Sequence, residues 1–302
     1  MTPITKTRFA PTPSGFLHLG NICNLLLIHC YSKLENLHLS LRIDDIDRSR
    51  FRLNYLEDIF RVVDFLGVPF DSGPTGIQDF EINFSQHKKI DKYQTFLDEI
   101  IKDTFLCECT RKTLRAVGEI YPGYCHSKNI ISGTNLKRRI SCPNGNVDYF
   151  SKKKKETMAL REVVGDFILW NYLENRPSYQ LVSIVEDLGE NVDFIVRGAD
   201  LLISTYSQEL LKSMLMSEAS TKEIAYIHHS LLTLDGQKIS KSVQRSSGRS
   251  VIDIYSLKEV LSYFWNWFTG EVRQVNDMKQ LQVLFFEKVK TPSYESVFIN
   301  FN

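Results

Sequence analysis

The 302-residue sequence lacks any apolar run near the roughly 18 residues that a membrane-crossing helix requires, so it offers no candidate for a helical span. It also lacks net charge. Its 37 lysines and arginines stand against 36 aspartates and glutamates, so no global basic field draws nucleic acid and any such contact has to be local. Candidate local patches are Lys137-Arg138-Arg139, Lys152-Lys153-Lys154-Lys155 and the stretch from Arg245 to Arg249. The first residues, Met1 to Lys6, lack the apolar core of a secretory signal, and the expectation is a cytoplasmic, monomeric protein without a membrane partner. Cysteine is scarce, six in all, and in that compartment these are expected as thiols or metal ligands and not as disulfides. Cys23 and Cys30, seven apart among Leu25, Leu26 and Ile28, read as core thiols. Apolar residues are plentiful at 43%, enough for a real core in two domains or in one large α/β domain with an insertion.

Two elements bear on phosphate. Arg8-Phe9-Ala10-Pro11-Thr12-Pro13-Ser14-Gly15-Phe16-Leu17-His18-Leu19-Gly20-Asn21 reads as a strand entering a Pro/Gly turn and then a helix. The unpaired N–H groups of that helix start face whatever anion docks there, and His18 lies in the turn, able to donate. Far downstream, Lys238-Ile239-Ser240-Lys241-Ser242 places two lysines three apart in a polar loop suited to charge building on a departing pyrophosphate. Between them, Leu37 to Ile43 alternates as a second strand and completes a βαβ unit that ends in the carboxylates of Arg42-Ile43-Asp44-Asp45-Ile46-Asp47. Helical spacing covers 54–66, 86–102 and 205–217. Tyr179 to Val185 and Phe194 to Asp200 read as strands, and after the lysine loop the one convincing helix is 257–267. The stretch from Phe105 to Met158 has a different texture, with cysteines, glycines and short strand-like pieces, and is read as an insertion.

Taken together, these segments resemble the class I aminoacyl-tRNA synthetases of the glutamyl group, and more narrowly their queuosine-directed paralogue. His18-Leu19-Gly20-Asn21 stands at the family's HIGH element, Lys238 to Ser242 at KMSKS, 42–47 at its Arg-Ile-Glu-Asp-x-Asp, and Ile195 to Leu201 at its late substrate segment. The resemblance implies an α/β, Rossmann-like class I catalytic domain in two halves (1–104 and 159–242), with an inserted zinc-bearing subdomain (105–158) and a short α-helical tail (243–302). It further implies that Arg8, Phe9, Ala10, Pro11, Thr12, Asp44, Tyr179 and Arg197 bind glutamate, and that His18, Asn21, Lys238, Ser240 and Lys241 bind ATP with its Mg2+. Of these, His18, Asn21, Lys238 and Lys241 are the catalytic set. Asp44 stands where the family has Glu. Cys107-Glu108-Cys109 followed by Tyr121-Pro122-Gly123-Tyr124-Cys125 is similar to the paralogue's zinc site, with Tyr121 as fourth ligand by that resemblance and His126 or Cys142 as substitutes. The implied reaction is tRNA-independent glutamyl-adenylate formation and transfer to queuosine in the anticodon arm of tRNA(Asp). The 60 residues after the lysine loop favour that reading over ordinary charging, which needs an anticodon-reading domain. A truncated or split glutamyl enzyme and a non-catalytic tRNA-binding relative remain open.

Overall fold

The computed structural model describes residues 5–110, 113–114, 120–121, 123–151, 155–215, 223–234, 237–238 and 248–290, with 233–234 and 237–238 as backbone. In chain order the elements are β1 (Lys6–Phe9), α1 (Leu19–Leu34), β2 (His38–Leu41), α2 (Leu53–Leu66), α3 (Ile90–Glu99), β3 (Thr104–Cys107), β4 (Lys137–Ile140), β5 (Val147–Ser151), β6 (Lys155–Met158), β7 (Ile168–Asn171), β8 (Arg176–Pro177), α4 (Tyr179–Gly189), β9 (Phe194–Gly198), α5 (Leu202–Leu215), β10 (Ala225–His229), β11 (Thr233–Leu234), β12 (Gln237–Lys238), α6 (Leu257–Thr269) and α7 (Met278–Val289), with single turns of helix between some of them. The chain forms two compact units. The first comprises Met1–Ser85, Val192–Leu201 and Tyr226–Asn302, and the second Gln86–Asn191 and Leu202–Ala225, which encloses the 105–158 stretch.

In the first unit the strands run in the order β2-β1-β9-β10. β1 pairs in parallel with β2, Arg8 opposite Ser40, and in parallel with β9, Thr7 opposite Phe194. Parallel pairing demands crossover connections covering the sheet, and α1 supplies one, buried along most of its length through Ile22, Leu25, Leu26, Leu27 and Ile28. Asp193 stitches the amino terminus to the start of β9. Its carboxylate accepts from the Thr5 N–H at 2.9 Å, the Thr5 hydroxyl at 2.7 Å and the Lys6 N–H at 2.8 Å. The tail adds α6, started by a capping box between Ser256 and Glu259, and α7, whose Leu281, Leu284 and Phe285 are buried at helical spacing. Only the first of these two helices was expected from the sequence. His29 of α1 meets α7, where its Nε2 lies 2.9 Å from Gln282 Nε2. An amide nitrogen donates, so Nε2 is the acceptor and the proton sits on Nδ1, which is buried with no hydrogen-bond partner among the described residues.

The second unit holds an antiparallel sheet β3-β4-β7-β8, the β5-β6 hairpin, and helices α3, α4 and α5. The strand expected over 179–185 is a helix. Ser178 caps it, its Oγ accepting from the Leu181 N–H at 3.4 Å. Burial of every residue from Leu181 to Asp187 hides the helical period and leaves a β-branched run. The long helix expected over 86–102 is broken, with 3-10 turns at Gln86–Lys89 and Ile101–Asp103 flanking α3. Glu186, buried in α4, accepts from Lys89 at 2.8 Å, Lys92 at 2.9 Å and the Tyr93 hydroxyl at 3.1 Å. Burial alone would raise its pKa. The two lysine hydrogen bonds outweigh that and hold it below the usual carboxylate range.

Candidate functional site

In the first unit, three of the charged residues singled out in the sequence lie at the carboxyl ends of neighbouring parallel strands. Arg8 is in β1, Arg197 in β9, and Asp44 follows β2, with exposures of 5%, 3% and 7%. Beyond the sheet the two amino-terminal segments stay paired, since Arg42 N–H donates to Phe9 O and Asp44 N–H to Pro11 O, each at 2.9 Å. That pairing sets the backbone of Phe9, Ala10, Pro11 and Thr12 beside Asp44. The Asp44 carboxylate also receives Arg42, Nε to Oδ1 at 2.7 Å and Nη2 to Oδ2 at 3.2 Å, a two-pronged pair that fixes its orientation. Arg197 carries its guanidinium 5.1 Å from the Tyr226 ring of β10. His228, two residues on, stacks on that ring at 6.1 Å, and burial followed by the Arg197 charge pushes its pKa down to about 3. The arginine therefore has a neutral imidazole as neighbour at physiological pH. Arg42, Tyr226 and His228 were not among the expected site residues. The i,i+2 spacing of Tyr226 and His228 within one strand was the available signal.

At the start of α1, His18 is the N-cap. Its Nδ1 accepts from the Asn21 N–H at 3.3 Å, and Asn21 Oδ1 accepts from the His18 N–H at 3.1 Å. With its oxygen spent on this reciprocal cap, Asn21 has Nδ2 as its side-chain donor for any ligand. A Cβ at Gly20 would lie 2.9 Å from His18 Cε1, so any larger residue there displaces the imidazole. The preceding residue is fixed by α2, where Asp58 Oδ2 accepts from the Leu17 N–H at 2.9 Å. Lys238 is in β12, antiparallel to β11, with Thr233 opposite Lys238. Ser240 and Lys241 lie outside the described residues.

Tyr179 belongs to the second unit, as the first residue of α4, and is 37% exposed. The same unit gathers the cysteines. Among the described residues, the group of His, Cys, Asp and Glu side chains close enough to share an ion is Cys107, Cys109 and Cys125, whose sulfurs lie within 4.8 Å of one another. Cys109 Sγ is 3.5 Å from Cys125 Sγ, and the Tyr121 hydroxyl is 3.5 Å from Cys107 Sγ and 3.9 Å from Cys109 Sγ. A tetrahedral ion with metal–sulfur bonds of about 2.3 Å spaces its ligands about 3.8 Å apart. Three sulfurs and a phenol oxygen thus fit Zn2+ in size and chemistry. His126 is exposed with Nε2 on Ser141 Oγ at 2.7 Å, and neither it nor Cys142 joins the group. Tyr121 is seated by a backbone bridge to Gly165, which has a φ of +67° and where an added Cβ would lie 2.9 Å from Ile120 Cγ2 and 3.2 Å from Tyr121 O, so a side chain there would be strained. Burial pulls the Cys107 thiol up. Hydrogen bonding with Tyr121, Arg139 and the Cys109 N–H outweighs it, so Cys107 falls below the ordinary thiol value, while burial pushes Cys109 up to about 11. Of these two thiols, Cys107 gives up its proton more readily.

Comparison with known proteins agrees with this geometry. The profile of the class I tRNA synthetases (E and Q), catalytic domain, matches residues 5–139. The glutamyl-Q tRNA(Asp) synthetase of Verminephrobacter eiseniae is 32% identical over 250 residues, covering 78% of this chain and 80% of that one. The glutamate–tRNA ligase of Buchnera aphidicola is 26% identical over 300 residues, covering 91% of this chain and 60% of the ligase, so the chain spans about 60% of that relative's length. A glutamate–tRNA ligase from Elizabethkingia meningosepticum, solved in complex with its amino acid, superposes with a TM-score of 0.73 at 17% identity, covering 92% of this chain and 64% of that one, a likeness of fold.

Proposed function

Because this chain belongs to the glutamyl and glutaminyl class I tRNA synthetases, we propose that it activates glutamate with ATP and passes the glutamyl group to queuosine at the wobble position of tRNA(Asp). The observation that carries the first step is the buried set of Arg8, Arg197 and Asp44 at one sheet edge. Glutamate brings two carboxylates and one ammonium, and two cations with one acid are its complement. A guanidinium facing the neutral amide of glutamine would lose its charge partner, which makes Arg197 the natural discriminator.

The glutamate α-carboxylate is already an anion and attacks the α-phosphate without a general base. An oxygen–phosphorus bond forms and the bond to pyrophosphate breaks. The protein's part is alignment and charge neutralisation. His18 and Asn21 at the α1 amino terminus, with Lys238 and Lys241, hold the triphosphate, and the Mg2+ that accompanies ATP supplies further positive charge. A ring hydroxyl of queuosine then attacks the acyl carbon and AMP leaves. Cys107, Cys109, Tyr121 and Cys125 would hold Zn2+ as a staple for a segment with little apolar surface to bury, outside the bond-making steps.

The transfer to queuosine is supported by the relative at 32% identity and by the cysteine and tyrosine spacing. The glutamate–tRNA ligases, whose match runs over 91% of this chain, favour charging of a tRNA 3′ end instead. Glutamate-driven ATP/pyrophosphate exchange separates the two. Exchange without RNA, followed by labelling of queuosine-containing tRNA(Asp) and not of its queuosine-free form, is the expected result. Exchange that strictly requires tRNA(Glu) overturns the proposal.

A further inference from the structure

Lys137-Arg138-Arg139 reads in the sequence as a surface patch, but the structure separates its members. The β4-β7 register shifts between Arg138 and Arg139. Such an irregularity re-aims the residues on either side of it. Arg138 stays half-buried, with Nε on the Tyr172 hydroxyl at 3.3 Å. Arg139 is only 4% exposed, its guanidinium 4.0 Å from the centre of the Tyr121 ring, and its Nη1 donates to Asp166 O at 2.6 Å. Its Nε has no hydrogen-bond partner among the described residues. A buried arginine is costly unless something nearby needs its charge.

The cysteine cluster needs it. Three thiolates around a divalent ion leave an excess negative charge, and ionisation of a coordinating phenol adds another. Among the described residues, the other charged groups around the cluster are more exposed or otherwise engaged. Lys137 Nζ is on the Cys109 carbonyl at 3.4 Å and on Asn135 Oδ1 at 2.9 Å, and the Lys128–Glu108 pair at 3.9 Å is more than half exposed on both sides. Asp166 spends Oδ1 on the Cys142 N–H at 2.9 Å. We propose that Arg139 is the built-in counter-charge of the Cys107, Cys109, Tyr121 and Cys125 centre and sets how tightly that centre holds its ion. It acts as a positioning residue, through the ring face of Tyr121, without touching the metal. This holds whatever RNA the chain modifies.

The test is the Zn2+ dissociation constant of the full chain, by chelator competition at neutral pH, for wild type, Arg139→Gln and Arg139→Lys. The glutamine variant should bind Zn2+ about 10- to 100-fold more weakly, the range for loss of an outer partner of a metal ligand. The lysine variant, which keeps the charge and gives up the planar stack, should stay within about threefold of wild type. Cobalt(II) thiolate absorption should persist in the lysine variant. A glutamine variant within about twofold of wild type overturns the assignment, as does a lysine variant that loses as much as the glutamine one. Should the glutamine variant fail to fold, the lysine variant decides alone: near-wild-type affinity supports the counter-charge, and a tenfold loss removes it.

Discussion

His29 gives a stability prediction that can be worked through. The imidazole is 1% exposed, and burial, with a smaller contribution from Lys33, lowers its pKa from 6.5 to about 4. The unfolded chain takes up the proton near 6.5 and the folded chain refuses it until about 4, so between these values the unfolded state binds more protons. Stability therefore falls as pH falls through that window. With these two values the loss from this one group reaches about 2 kcal/mol by pH 5 and approaches about 3 kcal/mol below the folded value. Protonation also turns Nε2 from acceptor to donor, against the Gln282 amide nitrogen. The assay is urea unfolding of wild type and His29→Gln at neutral pH and at pH about 5. His29→Gln keeps a hydrogen-bonding group and removes the titration, and contributions from other ionisable groups cancel in the difference of slopes. Wild type should lose about 2 kcal/mol more than the variant on acidification. Parallel losses would show that this histidine is protonated as easily folded as unfolded, and the argument from its burial would fall.

Gly20→Ala should leave the melting temperature nearly unchanged, because the gain in helix propensity offsets the cap that the displaced His18 ring gives up, each about 1 kcal/mol, while KM for ATP in the exchange reaction rises. An unchanged KM would detach the cap geometry from nucleotide binding. Arg197→Gln should cut kcat/KM for glutamate by about 10²-fold and narrow its preference over glutamine, measured by exchange with each amino acid. Glu186→Gln should cost about 1–3 kcal/mol at neutral pH, the lysines being partly open to solvent, with the difference closing as pH falls through the lowered Glu186 pKa, as followed by denaturant melts. Cys125→Ser should lower the zinc content of the purified chain, read by elemental analysis, if the cluster holds the ion.

Local spacing made the parallel opening and the cysteine grouping legible, because both lie within short stretches of chain. The strand–turn–helix of 6–34 and the cysteines at 107, 109 and 125 need no distant partner to be recognised. What depended on neighbours was not legible. The 179–189 segment carries Val182, Ile184 and Val185, residues at home in strands, and only the Ser178 cap argued for a helix. Arg42 and Arg139 look alike as surface basic residues, yet one orients Asp44 and the other is buried against Tyr121. Burial of a charge is decided by the partner it meets, and those partners are Asp44 two residues away and Tyr121 eighteen residues upstream.

The place of β1 between β2 and β9 bears on how the protein is made. When the ribosome has released the first 85 residues, β1 and β2 can pair, but the other edge of β1 stays open and the amides of Thr5 and Lys6 still await Asp193, which is synthesised more than a hundred residues later. Closing a sheet across that separation is slow. The newborn chain therefore exposes an unprotected strand edge for most of its elongation, which makes this interval of translation, more than the finished molecule, the time when that edge is open to pairing with another chain.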